Sequence, residues 1–264
     1  MNQHRSPVIH NEEDFQSMRE AGKLSASILD FITQFVTPGI TTDELNTLCH
    51  TEILSRGATP APLNYRGFPK SICTSVNHVV CHGIPGKKKL NDGDIINIDV
   101  TVILNGWHGD TSRMYYVGKK ISIKAKRLIK TTYDAMMKAI KIIRPGIHIY
   151  EIGKVIEEYV KTFSYSTVRE YCGHGIGKSF HTFPNILHYY DKNHDLKLRK
   201  GMFFTVEPMI NIGGWQTRIL QDNWTVVTKD SSLSAQFEHT IGVTDNGYEI
   251  FTQSPAKLDS PPYY

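Results

Sequence analysis

Two hydrophobic periods share this chain. Phe15, Met18, Ala21, Ile28 and Ile32 recur at roughly helical spacing behind Asn11, Glu12, Glu13 and Asp14, a capping side chain followed by carboxylates at the positive end of a helix dipole. The pattern predicts a helix from Asn11 that ends before Pro38-Gly39. A second opens at Thr41 or Thr42, carries Asp43 and Glu44 in its first turn, and stops at Gly57. Ile123 to Ile143 and about Tyr150 to Phe163 read as two more helices. The other period is that of strands. After a Pro- and Gly-bearing segment, Thr59 to Lys70, the run from Ser71 to His82 is strand-like, and Ile95 to Ile103 is rich in β-branched residues.

Asn105-Gly106 follows that last run, and a two-residue type I′ hairpin turn wants this dipeptide because both central residues need positive φ. A hairpin with that tip sets Leu104 opposite Trp107, Thr101 opposite Asp110 and Asp99 opposite Ser112. Asp99 and Asp110 then share a face as diagonal neighbours, about 7–8 Å apart at the backbone. Asp99 lies in the apolar run I-I-N-I-D-V-T-V-I, and no Arg or Lys occurs between Gly93 and Asp110. Loop and cap roles are open to such aspartates, but a buried carboxylate needs a partner, and two side by side need a cation or a shared proton.

An internal echo extends the pattern. P-G-I-T-T-D-E-L at Pro38 to Leu45 returns as P-G-I-H-I-Y-E-I at Pro145 to Ile152, 107 positions on, and Gly93-x5-Asp99 returns as Gly201-x5-Glu207, 108 positions on. His82-Gly83-Ile84 recurs as His174-Gly175-Ile176 at a different offset. Two matches at nearly one offset, each keeping its element type, predict duplicated α/β halves that bring Asp99 and Glu207 to one central cleft. The run from Gln236 to Val243, the hairpin turn at Asn246-Gly247 and Tyr248 to Phe251 complete the second half. There Glu238 answers Asp110.

Composition adds bounds. At 264 residues and 40% apolar content the chain can bury a sizeable core. The expected organisation is a flexible segment over 1–10, one domain over 11–252 and a tail over 253–264. Met1 to His10 carries Arg5 and no apolar run, so no signal peptide is expected, nor any membrane span. The expectation is a soluble, cytoplasmic monomer. Cys49, Cys73, Cys81 and Cys172 lack C-x-x-C spacing and read as reduced thiols. A net charge of +4 is too mild to predict a specific nucleic-acid partner. Lys87 to Lys89 and the group from Lys119 to Lys130 are open to two readings, solvated surface or transient contact with the ribosome.

The strand-borne acids are Asp99, Asp110, Glu207 and Glu238, joined by His174 in the glycine-flanked C-G-H-G-I-G. Four carboxylates and an imidazole are too much charge for one small cleft without metal, and suit two divalent ions bridged by carboxylates. Oxygen-rich ligation with one nitrogen favours Mn2+, Fe2+ or Co2+, although availability could load Zn2+. Two such ions acidify a bridging water, which predicts hydrolysis. His82 and His181 have flanks that lead into the cleft; the nine other histidines, such as His4, His50 and His194, read as packed or surface residues.

V-C-H-G-I-P, N-I-D-V-T followed by H-G-D-T-S, E-Y-C-G-H-G-I-G, F-H-x-x-P, T-V-E-P-M and S-A-Q-F-E-H-T occur in order from about Asn11 to Phe251. In these motifs the chain closely resembles the methionine aminopeptidases of the short, type I form. The resemblance implies an α+β pita-bread fold, with two pseudo-symmetric halves, a central antiparallel sheet and helices outside. It implies a dinuclear metal site that removes the initiator methionine from nascent chains whose second residue is small. By matching position, Asp99, Asp110, His174, Glu207 and Glu238 are the implied metal ligands, with Asp110 and Glu238 bridging and Glu207 doubling as general base. His181 and His82 are implied to contact the substrate amide, and Tyr65, Cys73, Phe180 and Trp224 to line the methionine pocket. One departure stands out: the family's Tyr-His-Gly before an aromatic and Pro is here Tyr65-Arg66-Gly67-Phe68-Pro69, which changes charge and shape at the pocket rim.

The nearest rival is a proline-specific relative on the same fold, a prolidase or X-Pro aminopeptidase, which normally has an additional N-terminal domain for which this chain has no length. Nor do the 30 residues between Glu207 and Glu238 leave room for the helical insert of type II enzymes. A catalytically inactive pita-bread module that binds peptide, histone or RNA is the other alternative; such proteins lose metal ligands, and all five are in place.

Overall fold

The first two helices start where the capping signals put them. A computed structural model describes residues 6–263, so Arg5 and the rest of the expected flexible segment before Ser6 lie outside it. Helix α1 spans Glu12–Ile32, where the Asn11 side chain accepts from the Asp14 N–H while the Asp14 carboxylate accepts from the Asn11 N–H. Helix α2, Thr42–Ser55, opens on the same reciprocal box between Thr41 and Glu44. Helix α3, Ile123–Lys141, is capped by the Ser122 hydroxyl, and helix α4 covers Tyr150–Lys161.

The expected hairpin forms over Ile95–Leu104 and Trp107–Tyr116, with Leu104 opposite Trp107, Thr101 opposite Asp110 and Asp99 opposite Ser112. Asn105 and Gly106 have φ of 50° and 80°. The strand expected over Ser71 to His82 is two strands, Cys73–Val76 and Val79–Cys81, because Asn77 turns the chain at φ 57°. The run from Gln236 to Val243 is likewise broken, into Ser234–Gln236 and His239–Val243, with Glu238 at the break.

The duplication is legible in single hydrogen bonds. Gly39 N–H donates to Leu90 O and Gly146 N–H to Leu198 O; Gly93 N–H donates to Val117 O and Gly201 N–H to Val243 O. Each half carries a sheet under two helices. In the first, Ile96, Ile98, Val100 and Val102 pack against Ile28, Leu29 and Ile32 of α1 and Leu45, Cys49 and Ile53 of α2. Because side chains alternate along a strand, Asn97, Asp99 and Thr101 face the other way, into the cleft. In the second, Tyr248–Ile250, His239–Val243, Phe203–Val206, Gly173–Gly175 and Thr182–Ile186 lie in that order. Phe204 and Val206 join the α3 and α4 core, so Thr205 faces the cleft. Truncating one of these buried aliphatic residues to Ala costs about 2–5 kcal/mol.

The sheets meet at one bridge, Ser112 opposite Glu238. Thr111 donates to Glu238 O at 2.7 Å, and Thr240 to Asp110 O at 2.7 Å. At the N-terminal end His10 stacks on Phe203 at 4.1 Å. At the other end Asp30 of α1 accepts from buried Arg113, the Ser254 hydroxyl and the Ala256 N–H, and Tyr263 donates to Met114 O. The expected tail is therefore laid along α1 and the hairpin. No helix of the described residues is long and apolar enough to cross a membrane.

Candidate active site

The cleft collects what the sequence pointed to. Ligand atoms of Asp110, His174 and Glu238 all lie within 4.8 Å of one another. His174 Nε2 is 3.6 Å from Asp110 Oδ2 and 3.5 Å from Glu207 Oε1. Asp99 and Glu207 line the same pocket of about 360 Å3, together with His82, His181, Tyr65, Cys73, Phe180 and Trp224. Every candidate ligand, catalytic and pocket residue expected from the sequence lines this one pocket.

Protonation states follow from burial. Burial pushes Asp110 up to about 7 and lifts Asp99, Glu207 and Glu238 well above the usual carboxylate range, with the neighbouring acids raising those three further. Asp99 Oδ1 is buried with no hydrogen-bond partner. Burial also pulls His174 down to about 4, so the ring is neutral at neutral pH. Its Nδ1 contacts Gly175 O at 3.2 Å and so carries the proton, which leaves the Nε2 lone pair bare toward Asp110 and Glu207. Crowded acids, an orphaned carboxylate oxygen and an imidazole presenting its lone pair form a donor set that fits divalent cations.

Several residues that hold these donors escaped the sequence reasoning. Thr205 Oγ1 donates to Glu207 Oε1 at 2.7 Å and accepts from the His174 N–H at 3.0 Å, tying two donors together. Gln236 Nε2 reaches Glu207 Oε2 at 3.2 Å, and Thr101 Oγ1 donates to Asp110 Oδ1 at 2.7 Å. His188, among the histidines taken as packing or surface, is fully buried and accepts from the Glu207 N–H through Nε2 at 3.1 Å. A signal existed for three of them: Thr205 and Gln236 sit two residues before Glu207 and Glu238, and Thr101 sits opposite Asp110.

Above the acids the pocket turns apolar. Phe180 packs on the His181 ring at 4.1 Å and on Tyr65 at 4.9 Å, and Phe68 meets Trp224 edge to face at 5.2 Å. Cys73 is buried among them. The His181 ring lies 4.1 Å from that of His174, with its Nδ1 3.0 Å from the Tyr65 hydroxyl. Its position at the crowded mouth lowers its pKa through desolvation, and burial takes His82 to about 4. Both are neutral hydrogen-bonding groups at neutral pH.

Paired carboxylates, one bare imidazole and an adjoining apolar slot, held between two like halves, define a metallopeptidase of the pita-bread class. The chain belongs to metallopeptidase family M24, whose model matches residues 16–245, and within that family to the methionine aminopeptidases. It is 63% identical to the methionine aminopeptidase of Rickettsia prowazekii (strain Madrid E) over 97% of this chain and 98% of that one. The crystal structure of methionine aminopeptidase from Rickettsia prowazekii superposes with a TM-score of 0.92 at 62% identity, covering 94% of this chain and all of that one. Prolidase from Pyrococcus furiosus shares the fold at a TM-score of 0.73 and 20% identity, covering 93% of this chain and 65% of that one. The chain is thus an aminopeptidase and a hydrolase, with the divalent-metal use of its family.

Proposed function

We propose that the enzyme removes the initiator methionine from nascent polypeptides whose second residue is small, using two divalent ions. Asp99, Asp110, His174, Glu207 and Glu238 would hold the pair, with Asp110 and Glu238, which meet where the halves join, shared between the ions. When bound, Mn2+, Co2+, Fe2+ or Zn2+ acidifies water and polarises the scissile carbonyl.

The chain's own residues do the rest. Tyr65, Cys73, Phe180 and Trp224 enclose an unbranched thioether with aromatic faces and a polarizable sulfur. Glu207, gripped by Thr205 and Gln236, takes the proton of the attacking water and passes it to the departing amine. His181, oriented by the Tyr65 hydroxyl, hydrogen-bonds the scissile group as it becomes tetrahedral, and neutral His82 contacts the substrate amide. Four free thiols fit a reducing compartment, and we place the enzyme in the cytoplasm.

The observation that carries this reading is the abutment of the acid cluster on the apolar slot. With Mn2+, Co2+ or Fe2+ restored, Met-Gly and Met-Ala peptides are cleaved and Met-Lys and Gly-Pro peptides are spared. Equal or faster turnover of X-Pro substrates would overturn the specificity.

A further inference from the structure

The loop from Asn64 to Gly67 presents one side chain inward and the next outward. Asn64, Arg66 and Gly67 all have positive φ, at 65°, 49° and 88°, a conformation that L residues avoid and that persists where the surroundings impose it. Four backbone bonds cinch the loop: Asn64 N–H to Phe68 O, Tyr65 N–H to Pro62 O, Gly67 N–H to Asn64 O and Phe68 N–H to Tyr65 O. Tyr65 turns in, toward His181. Arg66 turns out, exposed at the pocket mouth, with its guanidinium 5.3 Å from the Tyr65 ring.

Among the described residues, the arginines in ion pairs are Arg19, Arg56, Arg113 and Arg169, and Arg66 is not one of them. It is the only Lys or Arg among the described residues lining the pocket. Glu170, which also lines the pocket, accepts from the Thr217 N–H. The Tyr65 and His181 ring centroids are 5.2 Å apart, so the guanidinium lies within about 11 Å of the imidazole placed at the scissile bond, the span of about three extended residues.

We propose that Arg66 is a specificity determinant that reads the charge of the third or fourth residue of the substrate polypeptide, favouring a carboxylate there over an ammonium. The inference rests on the aminopeptidase reading above. The contact is solvent-facing, so its size is that of an exposed ion pair, and salt screens it.

The test uses the metal-loaded full chain and Met-Ala-Ser-Gly-Ser, with Asp or Lys placed at position three or four. At low ionic strength the Asp peptides exceed the Lys peptides by about two- to fivefold in kcat/KM, the difference residing in KM, and the ratio falls toward one in about 0.5 M salt. Arg66→Lys keeps the preference, Arg66→Gln abolishes it and Arg66→Glu inverts it. Affinities of the same peptides, measured on the same proteins, follow that order. Failure to cleave the neutral parent peptide overturns the aminopeptidase reading. Equal affinities for Asp and Lys peptides, or a preference unchanged in Arg66→Gln, overturn the role of Arg66.

Discussion

Gly39 and Gly146 occupy the same turn of the two halves, at φ of 97° and 91°, and Gly93 and Gly201 share another, at 108° and 85°. Around this common backbone the side chains have parted. The first half places two short aspartates on a hairpin of two ten-residue strands in unbroken register, whose backbone does most of the aiming, with the Thr101 side chain bonded to Asp110. The second half places glutamate after a four-residue strand, Phe203–Val206, and adds His174 from a three-residue one, so side chains such as Thr205, Gln236 and His188 must do the aiming. Duplication preserved what the backbone geometry demands. The side-chain chemistry differs, with two aspartates on the long hairpin of one half and longer acids and an imidazole beside the short strands of the other.

The largest effect should come from removing donors in either half. Asp99→Asn and Glu238→Gln keep shape and delete charge; each is expected to abolish peptide cleavage and to lower bound metal per chain, measured by kcat/KM and elemental analysis. Full activity in either variant would contradict the ligand assignment.

The supporting residues should be unequal, and that asymmetry sharpens the comparison. Thr205→Val unties His174 and Glu207 at once and should cost about 10- to 100-fold in metal affinity or kcat/KM, the usual range for a partner behind a ligand. Thr101→Val, on the self-supporting hairpin, should stay below about tenfold. Equal losses would mean that the hairpin backbone does not do most of the aiming of Asp110.

Smallest, and read in stability instead of activity, is the pair Gly93→Ala and Gly201→Ala. A side chain at positive φ costs about 1–2 kcal/mol at each. A Cβ at Gly201 would also come within 2.6 Å of His10 O, against 3.2 Å from Lys120 O at Gly93. Thermal unfolding should therefore show the larger drop for Gly201→Ala, and the reverse order would deny the contact of the N-terminal segment with the second half.

Much of this architecture was readable from the chain because local rules fixed it. Asn105-Gly106 set the hairpin register and hence the common face of Asp99 and Asp110, and Asn11 and Thr41 announced their helices through caps that need only neighbouring residues. The repeat carried that reading to Glu207 and Glu238. What escaped depends on distant partners or on one unusual dihedral. Asn77 breaks a run that reads as continuous strand, and His188 gains its role only when Glu207, 19 positions on, is brought beside it. Asp30 shows nothing of its later bond to Ser254, 224 positions away.

The central claim is that donors from both halves converge on two cations. Diffraction from Mn2+-soaked crystals at the manganese edge tests it most directly. The account predicts two anomalous peaks in the cleft about 3.5–4 Å apart, with Asp110 from the first half and Glu238 from the second each touching both. A lone peak enclosed by one half, or Asp99 and Glu207 free of metal in an active crystal, would contradict it.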